Sequence, residues 1–319
     1  MIFKKEILIL LFLSFLLGEN KRLSFDDVQG KSPFEYARLG MMKWHPNDNT
    51  YLSWGKGSYK GHIVSVNFPE QDTSVFADSS LLYMNGKKLS IVNFELDKSK
   101  SKLLLLTKRK RIWRHSYYGE YYILDLNSKD VIPITNDNDN LRNVKVAPNG
   151  LKVAYVRKDN NLYVFDIKKR KEKKLTKTGS TTILNGHFGW VYEEEFGSFD
   201  AYRWSPNSKY IAYWEENQSK VPVFTMFDEL GLYPTTQEIH YPKAGQTNPT
   251  MAIYVVDVNR GRNKKMDIKD TEDKYYPWMR WSDDDNLIIM RMNRLQNFWE
   301  FLNVSWQRGL SVSGLTESD

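Results

Sequence analysis

The chain has 319 residues, enough to bury a sizeable core, and an aromatic content of 14% excludes a disordered polymer. Lys and Arg total 46 against 39 Asp and Glu, a formal charge of +7 that is spread in short runs outside any nucleic-acid module, so no nucleic-acid partner is expected. The absence of cysteine excludes disulfides and thiolate metal sites and leans towards a bacterial source.

Met1 to Glu6 carries two lysines, and an apolar run of eleven residues follows from Ile7 to Leu17. That is a basic head and a hydrophobic stretch too short to span a bilayer as a helix. Residues 1–20 therefore read as a signal peptide or signal-anchor, although Gly18-Glu19-Asn20 lacks the small-x-small cleavage pattern. Export to the periplasm or the extracellular space is expected, with membrane anchoring by this segment left open. Residues 21–43 form a polar lead-in, in which Ser24-Phe25-Asp26-Asp27-Val28 predicts a helical turn capped by Ser24 or Asp26.

From Trp44 onward a loose repeat runs through residues 44–319. One copy is Ala147-Pro148-Asn149-Gly150, a strand from Leu151 to Val156, a turn at Asp159-Asn160-Asn161 and a strand from Leu162 to Ile167. It closes at Lys173-Lys174-Leu175-Thr176. Val153, Tyr155, Leu162, Val164 and Phe165 supply its apolar faces. Other copies open at Trp204-Ser205-Pro206-Asn207 and Trp281-Ser282-Asp283-Asp284, and a degenerate one opens at Trp44-His45-Pro46-Asn47. Leu103 to Thr107 and Tyr121 to Leu126 give a further strand pair.

Five units are expected, near residues 44–78, 100–135, 141–176, 180–260 and 275–316. Four short antiparallel strands per unit predict an all-β fold, a partial β-propeller, with a stack of hairpins in a sandwich as the alternative. The basic runs Lys108-Arg109-Lys110-Arg111 and Lys168-Lys169-Arg170-Lys171 read as solvated hairpin ends.

The fourth unit carries extra residues around 186–200 and 224–248. Insertions in a repeat fold tend to project from one face and carry function. The first holds Trp190-Val191-Tyr192-Glu193-Glu194-Glu195-Phe196, three consecutive carboxylates between aromatic residues. Adjacent acids repel and lose hydration when covered, so the cluster makes best sense where a cation meets it. The bland alternative is an exposed acidic helical turn; for Arg114 it is a surface ion pair or a stacked arginine.

These residues resemble the dipeptidyl peptidase IV family of serine peptidases. Trp190-Val191-Tyr192-Glu193-Glu194-Glu195 is similar to the family's double-glutamate helix, and Trp204-Ser205-Pro206-Asn207 follows it in order. Tyr241-Pro242-Lys243-Ala244-Gly245 with Asn248-Pro249-Thr250 is a further shared signature. Trp113-Arg114-His115-Ser116-Tyr117 resembles the stretch with the family's substrate-contacting arginine, and Arg294-Leu295-Gln296-Asn297 is a weaker match.

The resemblance implies an eight-bladed propeller over an α/β-hydrolase domain that carries a Ser-Asp-His triad. It makes Glu194 and Glu195 the pair that binds the free α-ammonium of a peptide. Arg114 becomes the arginine near the carbonyl of the second residue. It also implies a peptide substrate with a free N-terminus and a possible homodimer.

The chemistry stands beside the resemblance. A peptide amino terminus is largely protonated at neutral pH. Two carboxylates can share its three N–H donors, and an acylated nitrogen offers neither the charge nor the donors.

No Gly-x-Ser-x-Gly elbow occurs, and none of His45, His62, His115, His187 and His240 has a triad context; His115 reads as a packing or orienting residue. No P-loop, dinucleotide fingerprint or His-Glu-x-x-His helix is present, so no cofactor and no metal are expected. No catalytic residue is assigned, and whether the chain is an enzyme stays open. The expectation is the substrate-recognition part of an exported peptidase. The chain would be a fragment or truncated product, with the hydrolase domain or a completing chain as partner. A non-catalytic module for peptide amino termini and a scaffold propeller are the alternatives.

Overall fold

The computed structural model describes residues 25–28, 40–45, 49–135, 140–268 and 274–318. The chain divides into two units, residues 1–42 and 43–319. In the first, Phe25–Val28 forms a single helical turn, α1. The signal segment of residues 1–20 and the capping residue Ser24 lie outside the described residues.

The second unit is built of antiparallel sheets that follow one another along the chain. Blade 1 is β1 (Lys43–Trp44), β2 (Thr50–Trp54), β3 (Ile63–Asn67) and β4 (Thr73–Ala77); a small hairpin, β5 (Tyr83–Met84) and β6 (Lys87–Lys88), follows. Blade 2 is β7 (Asn93–Leu96), β8 (Lys102–Arg111), β9 (Tyr117–Asp125) and β10 (Val131–Pro133). Blade 3 is β11 (Arg142–Val146), β12 (Lys152–Val156), β13 (Leu162–Asp166) and β14 (Lys171–Lys174).

Blade 4 holds β15 (Ile183–Asn185), helix α2 (Trp190–Phe196), β16 (Tyr202–Trp204) and β17 (Tyr210–Asn217). A two-stranded arm, β18 (Val223–Asp228) and β19 (Thr235–His240), precedes β20 (Thr250–Asp257) and β21 (Asn263–Lys265). Blade 5 is β22 (Lys274–Trp281), β23 (Asn286–Asn293), β24 (Phe298–Ser305) and β25 (Leu310–Ser318). The five expected units are thus five sheets, and the fold is a β-propeller.

Strand alternation explains how blades stack. On β12, Val153 and Tyr155 join one buried cluster with Leu104, Leu106 and Ile123 of blade 2. Their neighbours Ala154 and Val156 point the other way and join Tyr202, Ile211 and Val256 of blade 4. A sheet buried on both faces needs apolar residues at every position, which is why Lys152–Val156 is buried at all but its first residue. Trp214, Ile253 and Tyr276 form the third cluster, between blades 4 and 5.

The repeated turns link in series. Trp204 Nε1 donates to Lys145 O of blade 3 at 3.3 Å, and Trp281 Nε1 donates to Arg203 O of blade 4 at 3.0 Å. The backbone N–H of Asn149 donates to Ser208 Oγ at 3.0 Å, and that of Asn207 donates to Asp284 Oδ1 at 2.8 Å. The turns of blades 3 and 4 therefore each use a polar side chain from the next unit's turn. Gly150 at φ 70 is in the left-handed region that this tight turn requires.

Two details differ from the sequence reading. Blade 2 begins at Asn93, because the short strand Asn93–Leu96 pairs with β8 ahead of the Leu-rich run. Lys108 to Arg111 are not a hairpin end but the exposed second half of β8, paired with Tyr117 to Glu120. The pairing satisfies the backbone, and the side chains are engaged: Lys108 meets Glu120 at 2.9 Å and Arg109 lies over the Tyr117 ring at 5.4 Å. Lys168 to Arg170 do sit in a turn, with Lys171 opening β14.

Candidate functional site

Helix α2 is short, and its place is fixed by buried partners at both ends. At its start the N–H of Gly189 donates to Glu216 Oε2 at 2.8 Å, and Gln218 Nε2 donates to Glu216 Oε1 at 2.7 Å. Glu216 is fully buried, and that burial pushes its carboxyl up to about 7, against the opposing pull of the Gly189 N–H, Gln218 and Arg142. At its end Gly197, at φ 61, turns the chain and donates its N–H to Tyr192 O. Tyr192 stacks on Phe188 at 4.6 Å and accepts the Tyr276 N–H at 2.9 Å. The helix is thereby tied to the blade 4–blade 5 core.

The three glutamates meet three environments. Glu193 is fully buried, Glu194 keeps 20% of its side chain exposed, and Glu195 is exposed. Glu193 Oε1 accepts the backbone N–H groups of His115 and Ser116 at 2.7 and 2.8 Å. The acidic stretch is therefore not a uniformly solvated turn, and Glu193 belongs to the interior.

Arg114 sits in the loop between β8 and β9. That loop is closed by Ile112 N–H to Ser116 O at 2.9 Å and braced by Arg111, whose Nε donates to Trp113 O at 2.6 Å. The His115 ring lies parallel to Phe199 at 6.2 Å, a packing role as expected. Arg114 Nη2 reaches Glu194 Oε2 at 3.2 Å. The structure thus brings together Arg114 and Glu194, which the sequence keeps in separate units.

Glu195 lines a cleft of about 820 Å³ between α2 and the β18–β19 arm. Trp190, Phe224 and Tyr241 form one wall, with Trp190 and Tyr241 rings 4.2 Å apart. Lys243, Asn248 and Arg294 also line it. Three sequence motifs, the acidic helix, the Tyr241 to Gly245 segment and the Arg294 segment, so converge on one cleft. A second cavity of about 610 Å³ lies among the opening strands of blades 2 to 5 and contains none of Arg114, Glu194 and Glu195. Among the described residues no group of three or more His, Asp or Glu is placed to hold a metal ion.

Chemically, two adjacent carboxylates and a neighbouring guanidinium offer acceptors for a cation and a donor for a carbonyl. Glu216 and Arg142 have structural parts here that escape sequence reading, as does the buried part played by Glu193 within the acidic cluster. Arg142 is buried beside the site, with its guanidinium 5.7 Å from the Tyr118 ring. Their signal is only three-dimensional, since each looks like an ordinary charged residue in sequence.

The family model for the dipeptidyl peptidase IV (DPP IV) N-terminal region matches residues 97–319. A probable dipeptidyl-aminopeptidase B of Trichophyton verrucosum is 32% identical over 294 residues, covering 84% of this chain and 32% of that protein. Dipeptidyl peptidase 4 of Felis catus is 30% identical over 273 residues, covering 81% of this chain and 34% of that protein. The crystal structure of Porphyromonas gingivalis dipeptidyl peptidase 4 superposes with a TM-score of 0.86 at 26% identity, covering 94% of this chain and 43% of that one. The chain spans about a third of the length of the curated relatives it matches.

Proposed function

Since the chain belongs to the dipeptidyl peptidase IV N-terminal-region family, we propose that it is the substrate-recognition propeller of an exported dipeptidyl-peptidase-type serine exopeptidase. In this reading Glu194 and Glu195 clasp the free ammonium of a peptide, and Arg114 faces the carbonyl of its second residue. The observation that carries it is the Arg114–Glu194 pair at 3.2 Å beside the Glu195-lined cleft. A free amino terminus supplies three N–H donors and a charge near neutral pH, which an acylated nitrogen lacks.

Attack on the second peptide carbonyl would require a serine nucleophile, a histidine base and an oxyanion hole. None of these is assigned to a residue of this chain. They belong to a hydrolase partner in this proposal, as a domain or a completing chain. Export rests on the basic head and apolar run of residues 1–17.

The β18–β19 arm supports a homodimer. Its tip exposes Phe227, Leu230, Leu232 and Tyr233 at 69, 98, 93 and 80%, an apolar patch of the kind that marks an interaction surface.

Titration calorimetry of the chain with a Xaa-Pro peptide, free and N-acetylated, tests the recognition reading. Heat from the free peptide alone is expected. Equal binding of both would overturn it.

A further inference from the structure

Blade 3 stands between blades 2 and 4 in the order of sheets, yet the Arg114 loop of blade 2 meets α2 of blade 4. Something must span that gap and hold its length. The Arg114–Glu194 pair is a poor candidate, because Arg114 is 67% exposed and exposed ion pairs fix little. Glu193 is a better one. It is fully buried, and one of its carboxylate oxygens accepts two consecutive backbone N–H groups, those of His115 and Ser116. Two charge-assisted bonds to one oxygen fix both the distance and the angle of the loop. Because the donors are backbone groups, only the acceptor residue is a matter of sequence.

We propose that Glu193 is the positioning residue of the amino-terminus site, clamping the Arg114 loop onto α2 so that Arg114 and Glu194 are set before a peptide arrives. The assignment of a peptide to that site rests on the function proposed above; the clamp itself rests on geometry alone. Arg142 is the buried counter-charge behind it. Burial holds its guanidinium below the ordinary arginine range, and Tyr118 and Glu193 act against that shift. Glu193 Oε2, Arg142 Nε and Nη2 and Ser116 Oγ are all buried without a hydrogen-bond partner. The two N–H bonds to Glu193 and the opposing charge of Arg142 hold the cluster. Removing the carboxylate leaves a buried cation and two loose amides.

The test uses the full chain in four forms besides wild type: Glu193→Gln, Glu193→Ala, Arg114→Ala and the Glu193→Ala/Arg114→Ala double variant. Hydrogen exchange without peptide reads the clamp. In wild type the amides of His115 and Ser116 are expected to be protected. Glu193→Ala is expected to speed their exchange at least about tenfold while the β17 and β20 strands are unchanged, and Glu193→Gln, which keeps an acceptor oxygen, to retain most of the protection.

Calorimetry with the free Xaa-Pro peptide reads the positioning. Glu193→Ala is expected to weaken binding about tenfold, and the double variant to bind no worse than Arg114→Ala alone. Unaltered exchange in Glu193→Ala, or losses that add in the double variant, overturns the proposal. A wild-type chain that binds free and acetylated peptides alike overturns the peptide-site reading and the positioning role with it, while the exchange result still decides the clamp. Should Glu193→Ala not fold, Glu193→Asp supplies the same comparison with a carboxylate one methylene short.

Discussion

Arg114 of blade 2 and Glu194 of blade 4 are joined at 3.2 Å. In the proposed reading a peptide ammonium shares Glu194 with the Arg114 guanidinium, while Glu195 lines the cleft beside it. Loss of one charge-assisted hydrogen bond costs about 1.5–3 kcal/mol, or roughly ten- to a hundredfold in affinity. Glu194→Gln and Glu195→Gln are each expected to weaken binding of a free Xaa-Pro peptide by that factor. They should also erase most of the preference for the free over the acetylated peptide. Arg114→Met is expected to weaken binding yet keep the preference, since it removes a donor to a carbonyl and not an acceptor for the ammonium. Calorimetry on the three variants with both peptides checks this.

The proposed site would have a pH signature set by its ligand. A peptide α-amino group loses its proton at about pH 7.7–8.0. Above that range affinity is expected to fall about tenfold per pH unit, because only the protonated form carries the charge and the third donor. An association constant that stays flat from pH 7 to 9.5 would contradict recognition of an ammonium.

Stability has a separate pH dependence, and Glu216 governs part of it. Its carboxyl is raised from the ordinary 4.5 to about 7 in the folded chain. Between those values the folded state binds more protons than the unfolded state, so stability falls as pH rises from 4.5 to 7. The loss is on the order of 3 kcal/mol. Glu216→Gln removes the titration and can still meet the Gly189 N–H and, after an amide flip, Gln218. It is expected to raise the melting temperature at pH 8 by several degrees and to change it little at pH 5.

Glu300 acts with the opposite sign. Burial raises its carboxyl, but Arg291 at 2.5 Å and Ser313 at 2.8 Å outweigh that and hold it below the ordinary value. Its contribution is present above pH 4.5 and is lost as pH falls.

Much of the blade architecture was legible because propeller repeats mark themselves. Trp204 and Trp281 recur at the head of their units because each indole N–H has the same job, a carbonyl on the preceding blade. Pro148, Asn149 and Gly150 announce a turn by their backbone preferences. The charge-run reading misleads at Lys108 to Arg111, where charge suggests a hairpin end but β9 supplies strand partners.

Within the candidate site, the acidic cluster that holds Glu194 and Glu195 stood out by its run of carboxylates between aromatic residues, while the choice of that pair and of Arg114 came from motif order. Nothing in composition separates Glu193 from its neighbours. Its burial follows from where α2 docks, and that depends on Phe188, Tyr192 and Trp214 packing together from separate segments. Long-range packing of this kind has no local sequence signal.

Gly189 offers a test of the helix anchor. A Cβ built there would lie 1.8 Å from Gln218 Nε2 and 2.6 Å from Glu216 Oε1. Both side chains are buried and bonded to each other, so neither can withdraw without giving up a partner. Gly189→Ala is expected to destabilise the chain by about 1–3 kcal/mol, the cost of a buried polar group left unsatisfied. Chemical denaturation reads that loss. The effect of the Glu216→Gln/Gly189→Ala double variant is expected to depart from the sum of the two single effects, because both substitutions act on the same three groups.

The arm tip carries exposed apolar surface. Leu230 and Leu232 are 98 and 93% exposed, and Phe227 and Tyr233 lie beside them. Each large apolar side chain covered by a second copy would gain about 1.5–3 kcal/mol. Part of that gain offsets the freedom lost on association. In the proposed dimer, these four residues at the tip of the two-stranded ribbon would pair with the same patch on a second copy. Leu230→Asp with Leu232→Asp is therefore expected to shift the chain towards monomer in sedimentation velocity, with the dissociation constant weakened at least about a hundredfold, since the introduced charges would be buried against each other. The melting temperature should hardly change, because both positions lie on the arm and outside the three blade cores. A wild-type chain that sediments as a monomer at high micromolar concentration would remove the arm as a self-association surface.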